Sequence, residues 1–166
     1  MTAPDFAALA ETAARIALRL RERGEALAIA DGATGGLLSA AILTVPGATG
    51  FYRGGGVIYS RRAREVVLGI SARDAAGMRS VTEDYAVLQA RGVAAQFGAE
   101  WGLAESGSAG GSVHPGGVGS GKSWAAVAGP GGAAASRFTE TGSDLRAANM
   151  FAFAGAALAL LAQALD

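Results

Sequence analysis

Cysteine is absent from this 166-residue sequence, which excludes disulfides, cysteine-ligated metals, iron–sulfur clusters and thiol nucleophiles. Histidine occurs once, at His114, so a metal site built from several histidines is excluded too. Lysine also occurs once, at Lys122, because every other basic residue is arginine. The 14 basic residues balance the 14 acidic ones. This lack of net charge argues against a protein that binds nucleic acid by neutralising phosphates.

Long apolar runs are missing as well. No uninterrupted stretch reaches the roughly 18–20 apolar residues that cross a bilayer. The first residues carry Asp5 and Glu11 inside an amphipathic pattern, which differs from a signal peptide. We therefore expect a cytoplasmic protein without a membrane partner. The length predicts a single domain over 1–166, which is large enough to bury a core.

Alanine and glycine are abundant, with 26 glycines, and the apolar patterns between the glycines predict ten elements in the order α-β-α-β-α-α-β-β-β-α. Thr2 and Thr82 are the expected N-caps of the first and fourth helices. The pattern predicts one α/β domain of three layers, in which helices pack on both faces of a mixed sheet. Helices are predicted over 3–23, 37–43, 61–68, 83–97 and 144–165, and strands over 26–30, 51–60, 101–106, 123–128 and 133–139.

Two glycine-rich loops follow predicted strands, at 31–36 and 107–121. Ligands of open α/β sheets bind at the carboxyl ends of strands, so we expect the site there. Residues 116–123 also match the phosphate-binding pattern G-x-x-x-x-G-K-[ST]. A true phosphate loop opens a helix, however, and here Pro115 precedes the match and a strand follows it. We interpret this match as coincidental.

Several polar residues allow two interpretations. The cluster Arg61–Arg64 is either a solvated helix face or an anion site, because arginine binds phosphate through a bidentate fork. Asp31 either binds a ligand hydroxyl or caps the following helix. Glu105 lies among apolar residues, so it is either solvent- or subunit-facing or a carboxylate held in the site. His114 is interpreted as a solvent-exposed loop residue. The serines of 106–120 belong to no recognisable nucleophile motif.

Six short motifs in chain order resemble the CinA C-terminal domain family, which comprises nicotinamide-mononucleotide deamidases. The resemblance covers about residues 6–162. The first is the family's A-E-S-C-T-G-G, which aligns with residues 30–36. The others align with 45–70 (Val45-Pro46-Gly47, Gly54-Gly55, Tyr59-Ser60, Arg64 and Leu68-Gly69-Ile70), Val81-Thr82-Glu83, 98–110, 121–124 (Gly121-Lys122-Ser123-Trp124) and Arg146.

The resemblance implies hydrolysis of the carboxamide of nicotinamide mononucleotide to nicotinate mononucleotide and ammonia. The family's machinery is a serine nucleophile in the first motif, assisted by the tyrosine and lysine of the second. Backbone amides of a glycine-rich turn suit the developing oxyanion. In this sequence the serine position is Gly32, the neighbouring cysteine position is Ala33, and the lysine position is Arg64, which stays protonated and cannot act as a base. Tyr59 is retained.

We therefore expect a catalytically impaired member that binds a nucleotide or another phosphate-bearing anion, with Arg64 and Arg146 as its basic groups. No residue is assigned as catalytic, and no metal or cofactor is expected. One alternative is an active deamidase in which Thr34 attacks or Gly32 admits a water. Another is a homo-oligomeric scaffold whose alanine-rich helices pack between subunits. The resemblance implies these substrate-binding residues: Asp31, Thr34, Gly35, Gly36, Tyr59, Ser60, Arg64, Ser106, Gly107 and Arg146.

Overall fold

The computed structural model describes residues 4–166, and its elements follow the predicted order. The helices are α1 (Phe6–Arg23), α2 (Leu37–Leu43), α3 (Arg61–Leu68), α4 (Glu83–Phe97) and α5 (Arg146–Leu165). The strands are β1 (Leu27–Asp31), β2 (Tyr52–Val57), β3 (Trp101–Ser108), β4 (Lys122–Ala128) and β5 (Ala134–Glu140).

The five strands form one mixed sheet in the order β2-β1-β3-β4-β5. Strands β2, β1 and β3 are parallel, whereas β4 and β5 pair antiparallel to their neighbours. The predicted hairpin between β4 and β5 is present, closed where Gly129 N–H donates to the Ala133 carbonyl at 2.9 Å. The chain leaves β1 toward β2 on one side and returns to place β3 on the other side. The sheet therefore has a topological switch point between β1 and β3, where α/β folds form ligand crevices.

The two faces of the sheet carry side chains of different size. Leu27 and Ile29 of β1 point to one face, where α1, α2 and α5 pack around large aliphatic residues. Ala28 and Ala30 point to the other face, against α4 and the end of α3. Helices therefore cover both faces of the sheet, as predicted for a three-layer domain. A strand that is covered on both faces is apolar at nearly every position.

Helix α4 lies unusually close to the sheet. A Cβ added to Gly102 of β3 would stand 1.9 Å from the carbonyl oxygen of Ala90 on α4. No side chain fits between them, so glycine at position 102 is what allows the helix to approach the strand.

The C-terminal helix is apolar on average, although no uninterrupted apolar run in it is long enough to cross a bilayer. Its best 18-residue window has a mean hydropathy of 1.6, so by length and composition α5 could cross a membrane. Counting uninterrupted runs misses this helix because Asn149 and Gln163 break the run without making its average polar. Here α5 packs Leu158 and Leu161, both fully buried, into the core that α1 and the sheet share. Such packing is that of a core helix.

Two predicted helix caps need comment. Helix α1 begins at Phe6, where Asp5 Oδ1 accepts the Ala8 N–H at 2.9 Å, while the expected cap Thr2 lies outside the described residues. Thr82 does not form the capping hydrogen bond that was expected of it. Thr82 occupies the N-cap position of α4, but its hydroxyl bonds to the Arg79 carbonyl and caps nothing.

Two strand ends differ from prediction by more than one residue. Strand β2 stops at Val57, because Ser60 already caps α3 by accepting the Ala63 N–H at 3.0 Å. Strand β3 continues to Ser108, because its last residues pair with β4 after β1 has ended. The predicted start of α5 at Asp144 moves to Arg146, and the other ends agree with the prediction to within one residue, apart from the start of α1.

Candidate ligand-binding site

A cavity of about 520 Å³ opens at the switch point, beside the carboxyl ends of β1 and β3. This volume lies within the usual range for small-molecule sites. Both loops singled out from the sequence contribute to its wall, together with the start of α3 and the segment before α4. The lining residues are Gly32, Ala33, Ile58–Arg61, Arg64, Met78–Ser80, Tyr85, Gln89, Glu105–Gly110, Ser112–Gly116 and Arg146.

Four arginines give this wall its charge. Arg64 is only 5% exposed, and its Nε donates to the Ile70 carbonyl at 3.3 Å. Arg61, Arg79 and Arg146 are exposed at the cavity mouth. None of the four forms a salt bridge with any residue between 4 and 166. The cavity thus concentrates positive charge that forms no ion pair with a carboxylate of residues 4–166, which favours an anionic ligand.

The sequence left open whether the arginines of α3 form a solvated helix face or an anion site. Each interpretation holds for part of the cluster. Arg61 and Arg64 line the cavity, whereas Arg62 points to solvent and pairs with Glu65 at 3.6 Å. Ser60 sets this division, because its cap fixes where α3 begins and therefore which arginines face inward.

Two of the arginines also hold the loop that covers the cavity. Arg79 Nη2 donates to the Gly116 carbonyl at 2.8 Å, and Arg146 Nη1 donates to the Gly110 carbonyl at 2.8 Å. Arg146 also donates to the Tyr59 hydroxyl at 3.1 Å, so Tyr59, which is 72% exposed, stands at the cavity rim.

The floor of the cavity is the contact between Gly32 and Glu105. A Cβ at Gly32 would stand 2.1 Å from the Glu105 carbonyl oxygen and 3.2 Å from Glu105 Oε2. A Cβ at Gly107 would stand 2.4 Å from Glu105 Oε1. The Glu105 carboxyl group therefore lies between two glycines, and position 32 has no room for a side chain on this backbone.

Glu105 is fully buried and is the one carboxylic acid among the residues lining the cavity. Its Oε1 accepts the Ser123 hydroxyl at 2.5 Å, and its Oε2 accepts the Thr34 N–H at 3.0 Å. Burial raises the pKa of Glu105 to about 7, although both hydrogen bonds oppose the shift. Of the two interpretations of Glu105, the structure supports a carboxyl group held in the site.

Of the two interpretations of Asp31, the structure supports the cap of the following helix. Its Oδ1 accepts the Thr34 hydroxyl at 2.9 Å and the Leu38 N–H at 3.0 Å, while its Oδ2 accepts the Ser39 hydroxyl at 2.6 Å and N–H at 3.2 Å. Four hydrogen bonds occupy both oxygens. The expected binding residues Asp31, Thr34, Gly35 and Gly36 form the turn beneath the cavity and do not line it. The Thr34 hydroxyl, proposed above as an alternative nucleophile, is completely buried and donates to Asp31.

Ser106 and Gly107 line the cavity as expected, and Ser106 supports a strained neighbour. Its Oγ accepts the N–H of Val81, which has a φ of +59°. A β-branched residue in the left-handed region costs about 1–3 kcal/mol and persists only where surrounding contacts enforce it. The strain lies next to Ser80, at the wall of the cavity.

His114 is not the solvent-exposed loop residue expected from the sequence. It is half-buried and lines the cavity, because its Nδ1 accepts the Gly116 N–H at 3.0 Å and folds the loop inward. This bond places the imidazole proton on Nε2. Burial lowers the pKa of His114, which favours the neutral ring.

The phosphate-loop pattern is coincidental, as its context indicated. Lys122 opens strand β4 instead of a helix, and its Nζ pairs with Glu140 of β5 at 3.3 Å. Among residues 4–166, no group of three histidine, aspartate or glutamate side chains is placed to hold a metal ion.

Sequence reasoning missed Arg79 and Gln89. Arg79 gives no local signal, because its segment forms no regular element. Gln89 does give one: it interrupts the apolar stripe Ala86, Ala90 and Val93 of α4, where a core residue is expected. The residue is 2% exposed.

The sequence profile of the CinA C-terminal domain matches residues 9–165. The chain belongs to the CinA C-terminal domain family. Relatives include a CinA-like protein of Synechococcus sp. (strain CC9902), 38% identical over 101 residues, and one of Anaeromyxobacter sp. (strain Fw109-5), 36% identical over 135 residues. These matches cover 60% and 75% of this chain but 24% and 30% of the relatives, so the chain spans less than a third of their length.

Solved structures of the CinA superfamily have the same fold over nearly their whole length. The CinA superfamily protein from Klebsiella pneumoniae 700603 superposes with a TM-score of 0.85 at 28% identity, covering 95% of this chain and 97% of that one. The competence damage-inducible protein A from Klebsiella pneumoniae MGH 78578 gives 0.84 at 30% identity, covering 95% and 96%. The CinA fold predicted from the sequence is confirmed.

Proposed function

We propose that this CinA domain binds a small phosphate-bearing molecule of the nucleotide class and does not hydrolyse an amide by the family's route. The observation that carries the proposal is the set of four arginines, free of ion pairs with residues 4–166, around one cavity. Guanidinium groups bind phosphate oxygens in bidentate pairs, and a phosphate dianion would supply the charge that the wall lacks.

The residues at the cavity floor support the proposal that this domain does not hydrolyse an amide by the family's route. A serine at position 32 would have its Cβ 2.1 Å from a backbone oxygen, so no hydroxyl nucleophile can stand there without moving β3 or the turn. Arg64 occupies the position of the family's lysine and remains protonated, so it can bind an anion but cannot accept a proton. Loss of nucleophile and base together removes most covalent catalysis.

Calorimetry tests the binding. We expect wild-type protein to bind nicotinamide mononucleotide and nicotinate mononucleotide. Arg64→Met should weaken both by about 10- to 100-fold, the effect of losing one charge-assisted hydrogen-bonded pair. Arg62→Met is the matched control, since Arg62 is on the same helix but faces solvent and should leave affinity unchanged. If Arg64→Met does not fold, Arg146→Met serves instead. Equal affinity of wild type and both cavity variants would refute the arginine site.

Ammonia release from nicotinamide mononucleotide tests the lack of catalysis. We expect no release above the protein-free rate. Ammonia release that disappears in Thr34→Ala or Tyr59→Phe would instead support the rearranged deamidase.

Self-association stays a second proposal. The alanine-rich helices are one surface for it: α5 packs Leu158 and Leu161 into the chain's own core and leaves Ala147 and Gln163 exposed. Exposed apolar side chains such as Leu43 and Val57 offer another surface. Light scattering would decide, and a monomeric mass would count against the scaffold.

A further inference from the structure

Gln89 is a polar residue in an apolar place. It lies on the sheet-facing side of α4, between Ala86 and Val93, which are both completely buried. Only 2% of Gln89 is exposed. An apolar side chain would fill this position at lower cost, because burying an amide is favourable only when its hydrogen bonds are made.

The Gln89 side chain lacks that compensation. Its Oε1 is buried and accepts no hydrogen bond from any residue between 4 and 166. Gln89 nevertheless lines the cavity that the arginines surround. A buried, unpaired amide at a cavity wall destabilises the protein when no ligand is bound. A ligand that brings a hydrogen-bond donor removes this cost.

We propose that Gln89 is a recognition residue that selects a ligand with a planar hydrogen-bonding edge, an N–H donor beside an acceptor. A primary carboxamide and a nucleobase both offer this edge. The N–H of the ligand donates to Gln89 Oε1, and the Gln89 amide nitrogen donates back to the adjacent acceptor. This inference rests on the proposed function, since the same ligand places its phosphate on the arginines.

Thermal unfolding without ligand separates recognition from a structural role. Gln89→Met keeps the volume and removes the unpaired amide, so we expect its Tm to rise by a few degrees. Gln96→Met, the same exchange at an exposed position near the end of α4, should leave Tm unchanged. A fall in Tm for both Gln89→Met and a second variant, Gln89→Leu, would show that the fold depends on the amide and would overturn the proposal.

Affinity measurements then identify which planar edge Gln89 recognises. Three probes share a phosphate: ribose 5-phosphate has no planar edge, nicotinamide mononucleotide has a carboxamide, and adenosine 5′-monophosphate has a nucleobase. We expect Gln89→Met to lose about 10- to 100-fold in affinity for one of the latter two, as for two lost hydrogen bonds. Its affinity for ribose 5-phosphate should not change. The probe that loses affinity tells the carboxamide from the nucleobase.

The two proposals fail in different ways. If wild type binds none of the three probes, the proposed function is refuted and the Gln89 assignment fails with it. If wild type binds them and Gln89→Met binds all three equally well, only the Gln89 assignment is overturned. A uniform loss for all three probes would also overturn it, because it would indicate a damaged cavity.

Discussion

Asp31 and Glu105 lie side by side at the switch point of the sheet, yet they serve different purposes. Asp31 ends β1, and Glu105 follows the last residue of β3 that pairs with β1. Both are buried. Asp31 accepts four hydrogen bonds and ties the turn to α2, whereas Glu105 accepts bonds from Ser123 and Thr34 and borders the cavity. The two carboxyl groups are thus equally buried but act differently. Asp31 holds the turn in place, whereas Glu105 has a pKa of about 7.

Removing Asp31 should have the largest effect. Asp31→Ala leaves the Leu38 N–H and the Thr34 hydroxyl buried without partners and deletes the cap of α2. We expect the free energy of unfolding to fall by about 4 kcal/mol. Urea denaturation measures this. The exposed Asp144→Ala should change it by no more than ~0.5 kcal/mol. A loss below 1 kcal/mol for Asp31→Ala would contradict its structural role.

The second effect comes from the titration of Glu105. Its pKa in the folded protein, about 7, lies above the ordinary 4.5, so the folded state holds the proton more tightly than the unfolded chain. The stability that this proton contributes is fully present below pH 4.5 and is lost as pH rises through 7. The loss amounts to roughly 3 kcal/mol.

Glu105→Gln, which does not titrate, should remove that part of the pH dependence. Denaturation curves between pH 4 and 8 would show it, with exposed Glu11→Gln as the control that keeps the wild-type profile. Parallel profiles for Glu105→Gln and wild type would mean that Glu105 keeps one charge state throughout.

The smallest of the three effects tests the close approach of Gly32 to Glu105. Gly32 follows Asp31 and lies against Glu105, where an added Cβ meets a backbone oxygen. Gly32→Ala should therefore destabilise the protein by about 2 kcal/mol through overpacking. Gly119→Ala is the matched control, because a Cβ there meets no atom within 4 Å. Equal stability of the two variants would show that the turn yields readily.

The element order was predictable from local patterns, because alternating strands and glycine-bounded helices leave clear signals. Arg64, Arg146 and Ser106 were found through motifs. The cavity roles of Gln89, Arg79 and His114 needed the fold, because the cavity is built from segments that are far apart in the chain. Glu105 could be marked as unusual, but its place between Gly32 and Gly107 depends on how β1 and β3 pair.

The close seating of α4 on Gly102 has a consequence for any ligand that Gln89 meets. The contact point on the helix, Ala90, is the next residue after Gln89, so the Gln89 backbone cannot slide or rotate relative to β3. Binding therefore has little backbone freedom to restrict, and the entropy lost on association falls mainly on the ligand. The absence of a side chain at Gly102 of β3 thus keeps that wall rigid before any ligand arrives.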